Sequence, residues 1–126
     1  IRKTNRVTTF PVGLSGGLPY EGCICDKKNS SKIIGMRRTF RPSRPFPLDM
    51  AGFAISLNFL FINQPLFNET CYEEMESCFL LESGLKAWNE LEPIAGCNRV
   101  LAWHTEYSHV TLDKKYDIDN ENLNLS

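Results

Sequence analysis

Residues 42–54 read Pro42-Ser43-Arg44-Pro45-Phe46-Pro47-Leu48-Asp49-Met50-Ala51-Gly52-Phe53-Ala54. Three prolines stand within the first six positions. Each fixes its backbone φ and lacks an N–H, so the segment can form neither a helix interior nor a central strand. It is therefore a stiff, extended loop that holds Arg44 and Asp49 at set angles. Small and apolar residues around Gly52 predict a buried strand from Leu48 to Ile55. Ser56 is then placed to cap a helix over Leu57 to Asn63, which Pro65 closes.

On the upstream side, Val7 to Val12 has the pattern of a short strand stopping at Gly13. Gly16-Gly17 and Pro19 mark a turn. Lys32 to Thr39 reads as another strand, with Gly35 as a candidate bulge. Downstream, Thr70 and Glu73 have the spacing of a capping box and open a second helix. Its apolar positions Cys71, Met75, Cys78, Phe79 and Leu85 suit a face packed on a core, and the helix should end near Gly84. Val100 to Trp103 is a last strand, and the polar tail over 113–126 has little to bury. Strands and helices interleave without repeats or a linker, which predicts one α/β piece over residues 1–126.

Fourteen basic residues against fifteen acidic give a net charge of −1, so nothing favours bulk attraction to nucleic acid or anionic membranes. One local exception is Arg37, Arg38, Arg41 and Arg44, which reads as a solvated basic loop or as an anion site. With 42% hydrophobic and 23% charged residues, the chain is of the ordinary globular class. The most apolar stretch, Met50 to Ile62, is too short for a span of ~20 residues. The start, Ile1 onward, has no signal-peptide pattern, so any membrane anchor is expected upstream. Five cysteines (Cys23, Cys25, Cys71, Cys78 and Cys97) match no common zinc spacing. Sequons at Asn29, Asn68 and Asn124 fit a secretory-pathway chain, where one or two disulfides would be permitted.

Glu76 stands on the edge of the second helix's apolar face, with Phe79 and Leu80 at i+3 and i+4. A carboxylate leaning on apolar side chains is desolvated, the condition a general base near neutral pH needs. The plainer reading is a solvated glutamate in an acidic first turn beside Glu73 and Glu74. On local grounds alone, His104 is a strand-end histidine and Trp103 is core.

The block over 42–54 resembles the β-1,3-glucuronosyltransferases, and is closest to the branch that completes the proteoglycan linkage tetrasaccharide. Three further segments agree in the same order. They are Pro11-Val12-Gly13-Leu14 with Gly16-Gly17-Leu18, then Glu76-Ser77, then Leu91-Glu92-Pro93 leading into Trp103-His104-Thr105. The resemblance implies the C-terminal, acceptor-binding part of a GT-A-type α/β fold, a Rossmann-like nucleotide-sugar transferase that inverts at the anomeric carbon. The full-length protein would transfer glucuronic acid from UDP-glucuronate to the 3-hydroxyl of a terminal galactose.

Carried over by position, Glu76 would be the catalytic base. Glu21, Arg44 and Asp49 would hold the acceptor, and Phe40 stands where a stacking tryptophan is usual. His104 would contact the UDP diphosphate. Two arginines expected near the leaving group are replaced by Tyr72 and Glu106. The donor half and its acidic manganese triplet are expected before Ile1, so this chain alone should form no metal site. Asp117-Ile118-Asp119 lies in the polar tail, away from any strand end. Golgi localisation through an upstream anchor and a homodimer of the full-length protein are also implied. The alternative is a non-catalytic module or diverged relative that binds galactosyl glycans.

Overall fold

The computed structural model describes residues 4–38, 43–71 and 74–105. The chain leaves its first strand, β1 (Val7–Thr9), and enters β2 (Val12–Ser15) through Phe10-Pro11. Pro11 offers no N–H to a ladder, so the single strand expected over Val7 to Val12 breaks into two that serve different sheets. β2 turns at Gly16-Gly17, where φ is +60° and +75°, a geometry glycine adopts without steric cost. β3 (Leu18–Cys25) then runs back antiparallel, with Val12 opposite Glu21 and Ser15 opposite Leu18. Pro19 therefore sits inside a strand and not in the turn. Among the described residues, β4 (Ile33–Arg37) pairs only with Gly22 to Cys25, so its ladder asks for no N–H from Pro19. The β3–β4 register slips between Ile24 and Cys25, making Ile34, and not Gly35, the extra residue.

Asp49 replaces the strand expected from Leu48 with a tight turn. Its Oδ1 accepts the Ala51 N–H at 2.8 Å, which closes a 3₁₀ turn over Met50–Gly52. Only Phe53–Ile55 remains extended, as β5, antiparallel to β1. Ser56 caps α1 (Leu57–Asn63) as expected, its Oγ accepting from the Phe59 N–H at 3.1 Å. The second helix, α2 (Met75–Glu82), starts later than the capping-box reading predicts. The Thr70 hydroxyl and N–H both bond to the Asn68 carboxamide oxygen, at 2.8 and 3.0 Å, so this local loop takes the group the cap would have used. Glu73 lies outside the described residues.

Two mixed sheets result, ordered β5-β1-β6 and β4-β3-β2-β7, where β6 is Glu92–Pro93 and β7 is Ala102–Trp103. β6 runs parallel to β1 and β7 parallel to β2. Glu92 fixes this arrangement further, its two carboxylate oxygens accepting the Asn5 and Arg6 N–H groups at 3.0 Å each. Both parallel pairings bring the last third of the chain onto the first. The core contains Val7, Ile33, Phe46, Leu48, Leu80 and Leu91, and Phe79 stacks on Phe67 at 4.3 Å. Of the stripe predicted for α2, Phe79 and Leu85 are buried while Met75 and Cys78 are only partly so. Cys71 belongs to the preceding 3₁₀ turn. No described helix is long and apolar enough to cross a membrane.

Disulfides join Cys23 to Cys97 and Cys71 to Cys78, and Cys25 keeps a free thiol. The first links β3 to the loop between β6 and β7 across 74 residues, the long-loop case in which a cross-link restricts the unfolded chain most.

Candidate functional site

The floor of the site is the β2–β3 hairpin. Glu21 on β3 is buried, with 6% of its surface exposed, and a buried carboxylate requires partners. The Ser15 hydroxyl donates to Glu21 Oε2 at 3.0 Å and lies 3.4 Å from Asp49 Oδ2. That same Asp49 oxygen meets His104 Nε2 at 2.8 Å. The four side chains thus form one continuous chain from Glu21 to His104. Asp49 is its hinge: Oδ1 is spent on the 3₁₀ turn, and Oδ2 is shared by Ser15 and His104. Nε2 of His104 is thus engaged by Asp49, and the imidazole is only partly buried.

The parallel pairing of β7 on β2 delivers His104. Gly13 faces Trp103 in register, and the Gly13 carbonyl accepts the His104 N–H at 3.0 Å. The Trp103 indole lies directly over Gly13, filling the place a Cβ would take. Trp103 is 43% exposed, so it packs as a lid on β2 and not as the core residue expected. Gly13→Ala should force the indole aside and loosen the His104–Asp49 contact, at a cost of about 1–3 kcal/mol. Tryptophan fluorescence and thermal unfolding would register both effects. An unchanged emission spectrum and Tm would refute the close packing.

Arg44 is 8% exposed and belongs to the same proline-rich block as Asp49. The block is held against α2 by Ser77. Its hydroxyl accepts the Phe46 N–H at 3.2 Å and donates to the Phe46 carbonyl at 3.0 Å. Glu76 immediately precedes Ser77, in the first turn of α2, and is partly buried. Among the described residues, no hydrogen bond or ion pair engages its carboxylate. A carboxylate without such a partner is open to take a proton from an incoming hydroxyl.

Glu21, Asp49 and His104 are therefore brought into one network, while Glu76 and Arg44 flank the loop that Ser77 anchors. Phe40, Tyr72, Glu106 and the polar tail lie outside the described residues. Sequence reasoning missed Ser15 and gave Ser77 no role. Ser77 could have been suspected from its place beside Glu76, but nothing local marks Ser15, whose role appears only once the hairpin register is known.

For a hard cation such as manganese, the described residues offer no fitting cluster. Their one group of metal-ligand type is Cys23, Cys25 and Cys97, whose sulfurs lie within 4.8 Å of one another. Thiolates suit softer metals, and two of these three sulfurs are joined in a disulfide.

The model of glycosyltransferase family 43 matches residues 1–108. The mouse protein named galactosylgalactosylxylosylprotein 3-beta-glucuronosyltransferase 2 is 37% identical over 131 aligned positions, covering 99% of this chain and 39% of that protein. The human protein numbered 3 in the same series is 42% identical over 109, covering 83% of the chain and 31% of its own length. The rat protein numbered 1 is 37% identical over 109, with the same two coverages. The chain thus spans less than two-fifths of the length of these relatives.

Proposed function

We propose that this chain, which belongs to glycosyltransferase family 43, supplies the acceptor-binding and base-carrying side of a β-1,3-glucuronosyltransferase. The complete protein would transfer glucuronic acid from UDP-glucuronate to the 3-hydroxyl of a terminal galactose, inverting the anomeric centre. The observation that carries the reading is the hydrogen-bonded chain Glu21–Ser15–Asp49–His104. It joins two acceptor candidates to the donor candidate through one buried hydroxyl. Sugar hydroxyls are bound most strongly by charged partners, and this network offers two carboxylates held at fixed angles.

In this mechanism the acceptor sugar lies against Glu21, Arg44 and Asp49. Glu76 takes the proton as the hydroxyl oxygen attacks, and a single displacement leaves no covalent intermediate. His104 turns Nδ1 toward the diphosphate, and donates from it when the ring carries both protons. The manganese that the family implies would assist the departing UDP, but the described residues do not fit that ion and no step here depends on it. Its ligands belong to the proposed donor half outside this chain.

The exposed sequon asparagines Asn29 and Asn68 support a secretory route to the Golgi lumen, as do the two disulfides. A membrane anchor and a homodimer of the full-length protein complete the proposal. Asp49→Asn is the direct test. The substitution keeps an oxygen for the 3₁₀ turn but removes the charge shared with His104. Acceptor KM should rise about tenfold or more, in line with the ~1.5–3 kcal/mol of a hydrogen bond to a charged group. Unchanged affinity for a galactosyl disaccharide would remove Asp49 from the acceptor site, and no glucuronate transfer by the wild-type full-length protein would overturn the reading as a whole.

A further inference from the structure

We propose that Cys23, Cys25 and Cys97 form a thiol–disulfide exchange site, in which the Cys25 sulfur attacks Cys97 and takes over the bond now made by Cys23. A disulfide needs two sulfurs, yet a third stands within 4.8 Å of both. Strand alternation explains how. Cys23 and Cys25 point to the same face of β3, while Ile24 between them is 43% exposed on the other. Cys97 approaches that inner face from the loop after β6.

The loop holding Cys97 is under backbone tension. Ala95, Gly96 and Cys97 all have positive φ, at +50°, +61° and +60°. Two of these carry side chains, and such conformations persist only where surrounding contacts enforce them. The bond to Cys23 is one of those contacts, so changing its partner gives the loop a way to relax. The three cysteines also line a cleft of about 450 Å³, with Cys23 and Cys97 buried and Cys25 half-buried.

The exchange balances within the chain. The Cys25 thiolate attacks Cys97 Sγ, a Cys25–Cys97 bond forms, the Cys23–Cys97 bond breaks, and Cys23 leaves as a thiolate that takes up a proton. No external oxidant or reductant enters. Attack on Cys23 instead would give a bridge between positions two apart on one strand. Their Cα atoms would stand ~6.6–6.8 Å apart, at the far limit of disulfide geometry. Cys97 is therefore the preferred target.

Burial raises the pKa of the Cys25 thiol, so little thiolate exists at neutral pH. The charged groups around the cleft are Asp26 and Lys27 after β3 and Arg37 on β4, and Tyr20 is its other titratable side chain. Exchange should accelerate about tenfold per pH unit until the thiol ionises.

The test keeps the full chain non-reduced at neutral pH and at about pH 9, above the ordinary thiol range. Samples are quenched with acid, alkylated with N-ethylmaleimide and digested without reduction. Trypsin cuts after Arg6 and Lys27, leaving Cys23 and Cys25 on one peptide, and fragment ions then locate the label. The expected result is label moving from Cys25 to Cys23 with time, faster at high pH, with Cys71–Cys78 intact. Label confined to Cys25 at both pH values would overturn the proposal, and so would scrambling that includes Cys71 or Cys78. As a second arm, Cys23→Ser should yield a Cys25–Cys97 bridge, and finding both of those thiols alkylated instead would overturn it equally.

Discussion

Glu76→Gln in the full-length protein is expected to lower glucuronate transfer by about 10²–10⁴-fold, with acceptor affinity close to wild type. An amide matches the carboxylate in shape but cannot take the proton from the attacking hydroxyl. Glu76 is partly buried in the first turn of α2, and no described partner relies on its charge. The folding cost should therefore be small, limited to a favourable helix-terminus interaction of ~0.3–1 kcal/mol. This separates chemistry from stability. The variant should bind a galactosyl acceptor and unfold at nearly the wild-type temperature, yet turn over slowly. Transfer within a few-fold of wild type would place the base on another residue. A matched fall in acceptor affinity would make Glu76 a binding group.

Much of the local architecture could be read from the chain, because it depends on neighbours in sequence. Ser56 caps α1 where expected, Gly16-Gly17 makes the turn, and the proline-rich block is an irregular loop, although a turn and bends over 43–46 replace the extended path expected. The errors share a cause. Thr70 had two local partners to choose from, a helix and the Asn68 side chain, and propensity does not rank them. Pro19 looked like a turn residue because the sequence does not show that the described ladder to β4 asks for no N–H there. Trp103 looked like core because nothing in its neighbourhood reveals that Gly13 lies beneath it.

The site divides along the same line. Glu21, Arg44, Asp49, Glu76 and His104 were marked by motif resemblance, which carries positions but not contacts. The Asp49–His104 bond spans 55 residues and the Ser77–Phe46 pair spans 31. Such pairings depend on sheet register and on where α2 docks, and neither is encoded in a short window. Hence Ser15 escaped notice and Ser77 was seen only as part of the Glu76-Ser77 segment, without a role, while the residues they connect were marked.

Ser77→Ala should show how much depends on such a connection. Ser77 is 1% exposed, and its hydroxyl satisfies both the N–H and the carbonyl of buried Phe46. Removing it leaves the buried Phe46 N–H without its partner, at ~1–3 kcal/mol, while the Phe46 carbonyl still accepts the Leu48 N–H at 2.9 Å. That cost corresponds to roughly 3–15 °C in Tm for a domain near this size. Activity should fall more than stability alone explains. The same bond fixes the distance between α2, which carries Glu76, and the loop that carries Arg44 and Asp49. Assayed well below the lowered Tm, the variant should therefore show both a reduced kcat and a raised acceptor KM. Glu76→Gln should change kcat alone. A drop in Tm with normal kinetics would mean that Ser77 only supports the fold. An unchanged Tm would mean that Phe46 finds other partners, and the proline-rich block would then owe its position to apolar packing of Phe46 and Leu48 and not to the hydroxyl.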